Sequence, residues 1–134
     1  MDVDKDKVTQ FLDSHHGAIQ ATTRADGSPH QARIGIGLID GKLWSSATQD
    51  RVRTKHLRRD PRCSLLVLGD NAWNWLGLDC RVTILDGPDA PQLNLELYRA
   101  LAGEPDDSAE YLDAMVKEKR LIYEFEILHA YGMF

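Results

Sequence analysis

The most informative stretch for the fold is residues 45–57, which read SSATQDRVRTKHL. Small hydroxyl residues end a predicted strand there, and three cations, Arg51, Arg53 and Lys55, then crowd into the start of a predicted helix. Cations in a first helical turn oppose the helix dipole at a cost of about 0.3–1 kcal/mol each. Hydroxyls, backbone N–H groups and guanidinium forks are the groups that hold a phosphate. The stretch therefore predicts a strand, a loop and a helix that together bind an anion.

The residues alone leave a second interpretation open, in which the cations form the solvated face of an ordinary surface helix. In a regular helix Arg51 and Lys55 share a face at a spacing of four residues, whereas Arg53 points away from them. Convergence of all three side chains requires Arg51 to lie in the loop before the helix, where alternate residues can point the same way.

Length and charge limit the function classes. With 134 residues, we expect residues 1–134 to form a single domain with one core. The net charge of −5 argues against a general nucleic-acid or membrane surface. Residues 1–6 are charged and lack the apolar core of a signal peptide, and no apolar run reaches about 20 residues. We expect a cytoplasmic protein that binds a small molecule and has neither a nucleic-acid nor a membrane partner.

Periodicity and turn residues predict alternating short elements along the chain. The strand at 63–68 is an unbroken apolar run, so we expect it to be buried on both faces. Asp26-Gly27 marks a tight turn, and Asp60-Pro61 ends the basic helix. The predicted helices cover 4–14, 50–59, 92–101 and a segment starting at 107–110; the predicted strands cover 18–23, 29–39, 42–47, 63–68, 73–85 and 121–128.

Five or more antiparallel strands with short helices between them favour a closed or partly closed barrel of the mainly β, α+β class. Gly35-Ile36-Gly37 is not a dinucleotide fingerprint, because the third glycine is misplaced and a strand follows where a helix should begin. Cys63 and Cys80 are interpreted as buried thiols, and no metal site is predicted. No catalytic triad or pair of catalytic carboxylates stands out.

Several motifs resemble one known family. They are TTRADGSPH at 22–30, WSSAT at 44–48, RVRTKHLRRDPR at 51–62, LYR at 97–99, AGE at 102–104 and HAYGM at 129–133. Together they resemble the FMN-binding split-barrel family typified by pyridoxamine 5'-phosphate oxidase (PPOX-like), in its actinobacterial branch that uses the deazaflavin F420. The resemblance implies a six-stranded antiparallel split barrel with short peripheral helices. It also implies a homodimer with a cofactor site at the interface between subunits.

The resemblance also implies which residues form the site. For two residues an alternative stays open. His30 is either a hydrogen-bond donor or proton relay, or a turn histidine with no role. Trp73 either lies near the partner's pocket or serves only in packing. The residues implied to surround the cofactor phosphate are Ser45, Ser46, Thr48, Arg51, Arg53 and Lys55, and those implied to lie near its ring are Pro29, His30 and Gln31.

The implied activity is that of an F420-dependent oxidoreductase, which transfers a hydride from reduced deazaflavin to an unsaturated organic substrate. Two alternatives stay open. One is a carrier that binds F420 or FMN without turnover. The other is an FMN-dependent oxidase of the pyridoxamine-phosphate type. The sequence shows no second basic cluster that would bind a substrate phosphate, which disfavours this alternative.

Overall fold

The computed structural model describes residues 4–134, so the first three residues of the charged N-terminal stretch lie outside the described residues. Within this range no helix is both long and apolar enough to cross a membrane. In chain order the elements are α1 (Lys5–Ser14), β1 (Gly17–Thr23), β2 (Pro29–Gly35), β3 (Gly37–Ile39), β4 (Lys42–Thr48), α2 (Val52–Arg59), β5 (Arg62–Leu68), β6 (Trp75–Leu85), α3 (Ala90–Ala102), α4 (Ser108–Lys117) and β7 (Arg120–Met133).

All seven strands form one antiparallel sheet in the order β2-β1-β5-β6-β7-β4-β3. Strands β2 and β3 lie at opposite ends of this order, yet only Ile36 separates them along the chain. The sheet must therefore curl until its two ends meet. At the seam the Ser45 hydroxyl of β4 donates a hydrogen bond to the Gly35 carbonyl at 2.6 Å. The result is the mainly β split barrel expected from the sequence.

The strand count differs from the expected six because residues 29–39 do not form one strand. The ladder between β1 and β2 ends at the pair Gly17 and Gly35, and the next N–H, that of Ile36, donates to the His16 carbonyl at 2.9 Å. Pairing with β4 then begins at Gly37. The chain changes partner at Ile36, and this change divides the segment into β2 and β3.

Side chains that alternate along the strands fill the barrel, and α1 adds Val8, Phe11 and Leu12 to this core. Strand β5 is not buried on both faces as expected: its burial alternates, and Leu66 on the outer side is 40% exposed. Among residues 4–134, β5 has extensive contacts only with its ladder neighbours β1 and β6, so no second layer covers its outward side chains. Helix α3 instead packs on the outer side near β4 and β7, where Trp44, Leu97 and Ile122 form a smaller cluster.

Strand β6 begins at Trp75 rather than at residue 73. The preceding turn is closed by side-chain amides, since Asn71 Oδ1 accepts from the Trp73 N–H at 2.8 Å and Asn74 Oδ1 accepts from the Asp70 N–H at 3.1 Å. These bonds replace ladder pairing for the residues concerned. Trp73 therefore lies in a turn and is 76% exposed.

Candidate functional site at the start of helix α2

Helix α2 begins directly after a loop that follows β4. Arg51 is its N-cap residue, with extended backbone angles (φ −64°, ψ 140°), and the first turn holds no acidic residue. Thr54, which is fully buried, donates its hydroxyl hydrogen to the Thr48 carbonyl at 2.7 Å and ties this turn to the end of β4. Arg51 thus lies in the loop, as the convergence of the cations requires.

Arg53 is the most constrained of the cations. Its guanidinium carbon lies 5.9 Å from the centre of the Tyr123 ring, and its Nε is buried without a hydrogen-bond partner. Burial lowers the pKa of Arg53, and the neighbouring charges of Arg51 and Arg120 lower this pKa further. Burial raises the pKa of Tyr123, so its hydroxyl, which hydrogen-bonds to Thr54, stays neutral and is no counter-ion.

Sequence reasoning missed Arg120. It pairs with Thr48 across the β4–β7 ladder, and this register brings it beside the α2 cations. Its Nε and one terminal nitrogen both donate to the Glu118 carboxylate, at 3.1 and 2.9 Å. No pattern near Arg120 in the sequence signals this placement, because it depends on pairing between distant strands.

The three arginines give this end of the barrel a positive potential. Among residues 4–134, no carboxylate lies within ion-pair distance of Arg51, Arg53 or Lys55, and Glu118 is the carboxylate that pairs with Arg120. Like charges this close repel one another, and an anion bound between them would relieve the repulsion. The donor set suits a phosphate monoester or diester, to which guanidinium groups bind through two parallel hydrogen bonds. We call Thr48, Arg51, Arg53 and Arg120 the arginine site.

Ser45 and Ser46 do not lie together, although both were expected at the phosphate. Successive side chains of a strand point to opposite faces, so Ser45 faces the seam and bonds to Gly35, whereas Ser46 faces α3 and donates to Asn94 Oδ1 at 2.5 Å. Both hydroxyl hydrogens hold elements of the fold together. The alternation rule alone separates the two serines, without knowledge of the structure. Lys55 is exposed, one helical turn beyond Arg51.

His30 also separates from its sequence neighbours. On β2 it pairs with Thr22 and is part-buried, whereas Pro29 and Gln31 are exposed. The His30 ring meets the His56 ring edge to face, with centres 5.3 Å apart, and His56 Nδ1 lies 2.9 Å from the Thr22 hydroxyl. His30 Nδ1 is buried without a partner. The two histidines, which we call the histidine pair, join β1, β2 and α2 at one end of the barrel.

Two further arginines surround the histidine pair. Arg24 donates to the Pro29 carbonyl at 2.5 Å and Arg59 donates to the Thr23 carbonyl, and Thr23 and Pro29 are themselves paired in the ladder. Burial lowers the pKa of His56, and His30, Arg59 and Arg24 lower it further. Sequence reasoning identified no second basic cluster for a substrate phosphate; the structure brings Arg24 and Arg59 beside the histidine pair, with both guanidinium groups donating to backbone carbonyls.

The cysteines, the metal-ligating side chains and Trp73 complete the description of the candidate residues. Both cysteines are free and buried. Within the described part of the chain no group of three or more His, Cys, Asp or Glu side chains could hold a metal ion. The backbone N–H of Trp73 donates to the Asn71 side chain within the same turn.

Comparisons with known proteins place the fold. A model of the family described as pyridoxamine 5'-phosphate oxidase matches residues 4–134. The conserved hypothetical protein Rv2991 from Mycobacterium tuberculosis has a similar structure, with a TM-score of 0.80 and 22% identity over 96% of this chain and 82% of that chain. A structure titled F420 reductase has a TM-score of 0.70 and 21% identity over 91% and 94%. The heme storage protein HutZ from Vibrio cholerae has a TM-score of 0.71 and 12% identity over 98% and 95%. At these identities the three structural similarities demonstrate a shared fold.

Proposed function

Because this chain belongs to the pyridoxamine 5'-phosphate oxidase family, we propose that it is an F420-dependent oxidoreductase of the actinobacterial branch that reduces an unsaturated organic substrate. The family binds flavins, and one structure with this fold is titled F420 reductase. When bound, reduced F420 supplies a hydride from its deazaflavin ring; the protein supplies binding and orientation.

The observation that carries the proposal is the buried, unpartnered Nε of Arg53 among like charges. A buried donor without an acceptor costs about 1–3 kcal/mol, and the part of the chain that the structure describes offers no carboxylate to offset it. A phosphate oxygen would satisfy the Nε and neutralise the cations together. The residues therefore fit the phosphodiester of F420; because FMN also carries a phosphate, a direct comparison of the two cofactors is needed to decide between them.

We assign the phosphate to Arg51, Arg53 and Arg120, with Lys55 at the rim. Thr48 fixes the loop, because its carbonyl accepts the Thr54 hydroxyl hydrogen, and its own side-chain hydroxyl is left to donate to the phosphate. Guanidinium forks fix the orientation of the phosphate as well as neutralising its charge.

We assign the ring edge to His30, whose free Nδ1 can donate to a ring carbonyl or move a proton to the substrate. The neighbouring His56 holds the ring of His30 in place from the side. Pro29 and Gln31 flank His30 and are exposed. Contacts from these two residues to the cofactor ring would therefore come from the outer side of β2.

A homodimer is the second part of the proposal. Large apolar side chains remain exposed on the outer side of the sheet, and such patches mark interaction surfaces. Leu66, Gly77 and Tyr131 are neighbours across β5, β6 and β7 in the ladder register. We call the exposed set the outer apolar face; its members are Leu66, Trp73, Tyr131 and Met133. A second copy seated there would bring Trp73 towards the partner's cofactor.

The testing experiment is a parallel equilibrium titration of the apo-protein with F420 and with FMN, followed by tryptophan fluorescence at several salt concentrations. We expect tight, salt-sensitive binding of F420 and weak binding of FMN. Preference for FMN would move the chain to the flavin branch, and binding of neither would refute the proposal. F420 that binds tightly but is never oxidised by a panel of unsaturated acceptors would favour the carrier interpretation.

Variants make the titration specific. Arg53→Ala should weaken F420 binding by about 10–150-fold, since a hydrogen bond to a charged group contributes about 1.5–3 kcal/mol. Arg99→Ala is the matched control, because Arg99 forms an ion pair with Glu104 at 2.7 Å beside α3. Equal affinity of Arg53→Ala and Arg99→Ala for F420 would contradict the phosphate assignment.

One observation favours a second candidate, an FMN-dependent oxidase of the pyridoxamine-phosphate type. Arg24 and Arg59 beside the histidine pair provide the second cationic cluster that such a substrate phosphate requires. Turnover of pyridoxamine phosphate by the FMN-loaded protein, lost in Arg59→Ala, would establish this candidate. No turnover with saturating FMN would exclude it.

A further inference from the structure

Two free cysteines face each other inside the barrel, and the proposed cofactor site uses neither of them. Cys63 on β5 and Cys80 on β6 are direct partners in an antiparallel ladder. They are 9% and 1% exposed, so both side chains point inwards. Opposed residues of antiparallel strands have Cα atoms about 4.5–5.5 Å apart, and disulfides span about 4.4–6.8 Å. A disulfide can therefore form here without movement of the backbone.

The two thiols differ in their surroundings. Gln20 Nε2 lies 3.9 Å from Cys63 Sγ and donates to it, and Cys80 lies directly opposite Cys63 in the ladder. The interaction with Cys80 lowers the pKa of Cys63, and the interaction with Cys63 together with burial raises the pKa of Cys80. Hydrogen bonds to a thiolate stabilise it, so Cys63 is the more nucleophilic member of the pair.

Access to the pair is through Cys63, which is 9% exposed against 1% for Cys80. An open groove of about 600 Å³ runs over this part of the sheet and is lined by both cysteines together with Thr23, Arg62 and Asp79. Arg62 and Asp79 directly precede the cysteines along their strands, so their side chains lie on the outer face, and a molecule as small as hydrogen peroxide must pass from this groove to the inner face to meet the sulfurs. On the β7 side of Cys80 the ladder is irregular, because the register shifts between Asp79 and Cys80. An irregular ladder leaves this end of β6 less rigidly held than a regular one.

We propose that Cys63 and Cys80 form an oxidisable dithiol that closes to a cross-strand disulfide when the protein meets a peroxide. The Cys63 thiolate attacks one peroxide oxygen, an S–O bond forms, the O–O bond breaks, and hydroxide leaves and is protonated to water. The Cys80 sulfur then attacks the Cys63 sulfenic acid, the S–S bond forms, and the S–O bond breaks with loss of a second water. Two thiols lose two electrons and two protons, and the peroxide is reduced to two waters.

The test uses the folded wild-type protein and does not depend on the cofactor assignment. Reduced protein is treated with hydrogen peroxide in modest excess, quenched, and unfolded in the presence of a thiol-alkylating reagent. Intact mass and a peptide map under non-reducing conditions are then recorded. We expect the loss of two hydrogen atoms, no alkylation, and a single linked peptide pair containing Cys63 and Cys80, all reversed by dithiothreitol.

Single variants test the order of attack. In Cys80→Ser, dimedone should trap a sulfenic acid on Cys63. In Cys63→Ser, labelling of Cys80 should be at least about tenfold slower, because burial still raises the pKa of Cys80 in this variant and leaves little thiolate. Equal labelling rates would overturn the assigned roles.

Other results with the wild type would overturn the disulfide itself. Alkylation of both cysteines after oxidation would mean that the pair does not close. Linkage only between subunits, or overoxidation to sulfinic acid without linkage, would contradict the intramolecular geometry. Since the wild-type measurement requires no substitution, poor folding of either serine variant leaves the main test intact.

Discussion

Replacing Arg53 with methionine should stabilise the apo-protein while weakening its binding of phosphate-containing ligands. Methionine is unbranched and fills irregular space in a core, and the substitution removes a cation that burial and two neighbouring arginines disfavour. It also removes the buried Nε that has no partner. The apo-structure thus carries Arg53 at a cost that a bound anion would offset.

These contacts set the size of the change in the free energy of unfolding for Arg53→Met. An unsatisfied buried donor costs about 1–3 kcal/mol. Loss of the contact with the Tyr123 ring, at 5.9 Å, removes about 0.5–1 kcal/mol. The balance for Arg53→Met is a stabilisation of roughly 0–2.5 kcal/mol, and for a domain of this size each kcal/mol raises Tm by about 3–5 °C.

The assay is urea-induced unfolding of the apo-protein in low-salt buffer, repeated with inorganic phosphate and with F420. For the wild type, a ligand at 100 times its Kd should raise the free energy of unfolding by about 2.7 kcal/mol. For Arg53→Met this gain should largely disappear, while the baseline without ligand should rise. Arg99→Met serves as the control, since Arg99 forms an exposed pair with Glu104. A destabilised Arg53→Met variant that keeps its full response to F420 would refute the reasoning.

Three further predictions concern the framework of the site. Thr54→Val should lower the free energy of unfolding by about 1–3 kcal/mol, because both hydrogen-bond partners of this buried hydroxyl lose their bond, and urea unfolding checks this. The pKa of His56 lies below its usual value, so the contribution of His56 to stability is present above about pH 6.5 and is lost as the pH falls towards the folded-state pKa. The Tm of His56→Asn should therefore depend less on pH between pH 5 and 8 than the Tm of the wild type does. Equal dependence of Tm on pH in the two proteins would contradict this. Gly132→Ala should lower Tm more than Gly41→Ala, because both glycines have positive φ but only at Gly132 would the new Cβ lie 2.5 Å from a backbone oxygen, that of Trp75.

Local rules predicted the parts of the site that depend on neighbouring residues. Asp60-Pro61 ends α2 as expected, but the predicted start at residue 50 was too early, because Arg51 is the N-cap residue and the helix begins at Val52. These features follow from backbone preferences that operate within a few residues. The same rules predicted the barrel class, since strand periodicity and tight turns are also local.

Features set by pairing between distant strands could not be read in this way. Arg120 joins the arginine site only through the β4–β7 register, and the split of residues 29–39 arises because the chain changes partner at Ile36. Ser45 and Ser46 are a different case. The alternation of side chains in a strand separates them, whereas the resemblance to the family implied that both surround the phosphate.

The unsatisfied polar groups of the barrel supply an independent argument about where its function lies. Along the inward side of β1 the residues run from Ala18 through Gln20 to Thr22, so the interior becomes polar from the α1 end towards the α2 end. The buried atoms without partners, within the part of the chain described, are Gln20 Oε1, His30 Nδ1 and Arg53 Nε.

None of the three lies where α1 covers the barrel with apolar side chains such as Phe11 and Leu12. Each buried polar group without a hydrogen-bond partner lowers the free energy of unfolding, whereas an apolar residue in its place would not. Selection for stability alone would favour apolar side chains at both ends of the barrel. Departures from local consistency concentrate at functional sites. Two of these atoms belong to the groups assigned to the cofactor, and the third belongs to the amide that donates to Cys63. Binding and thiol oxidation are therefore assigned to the end of the fold that is least optimised for stability.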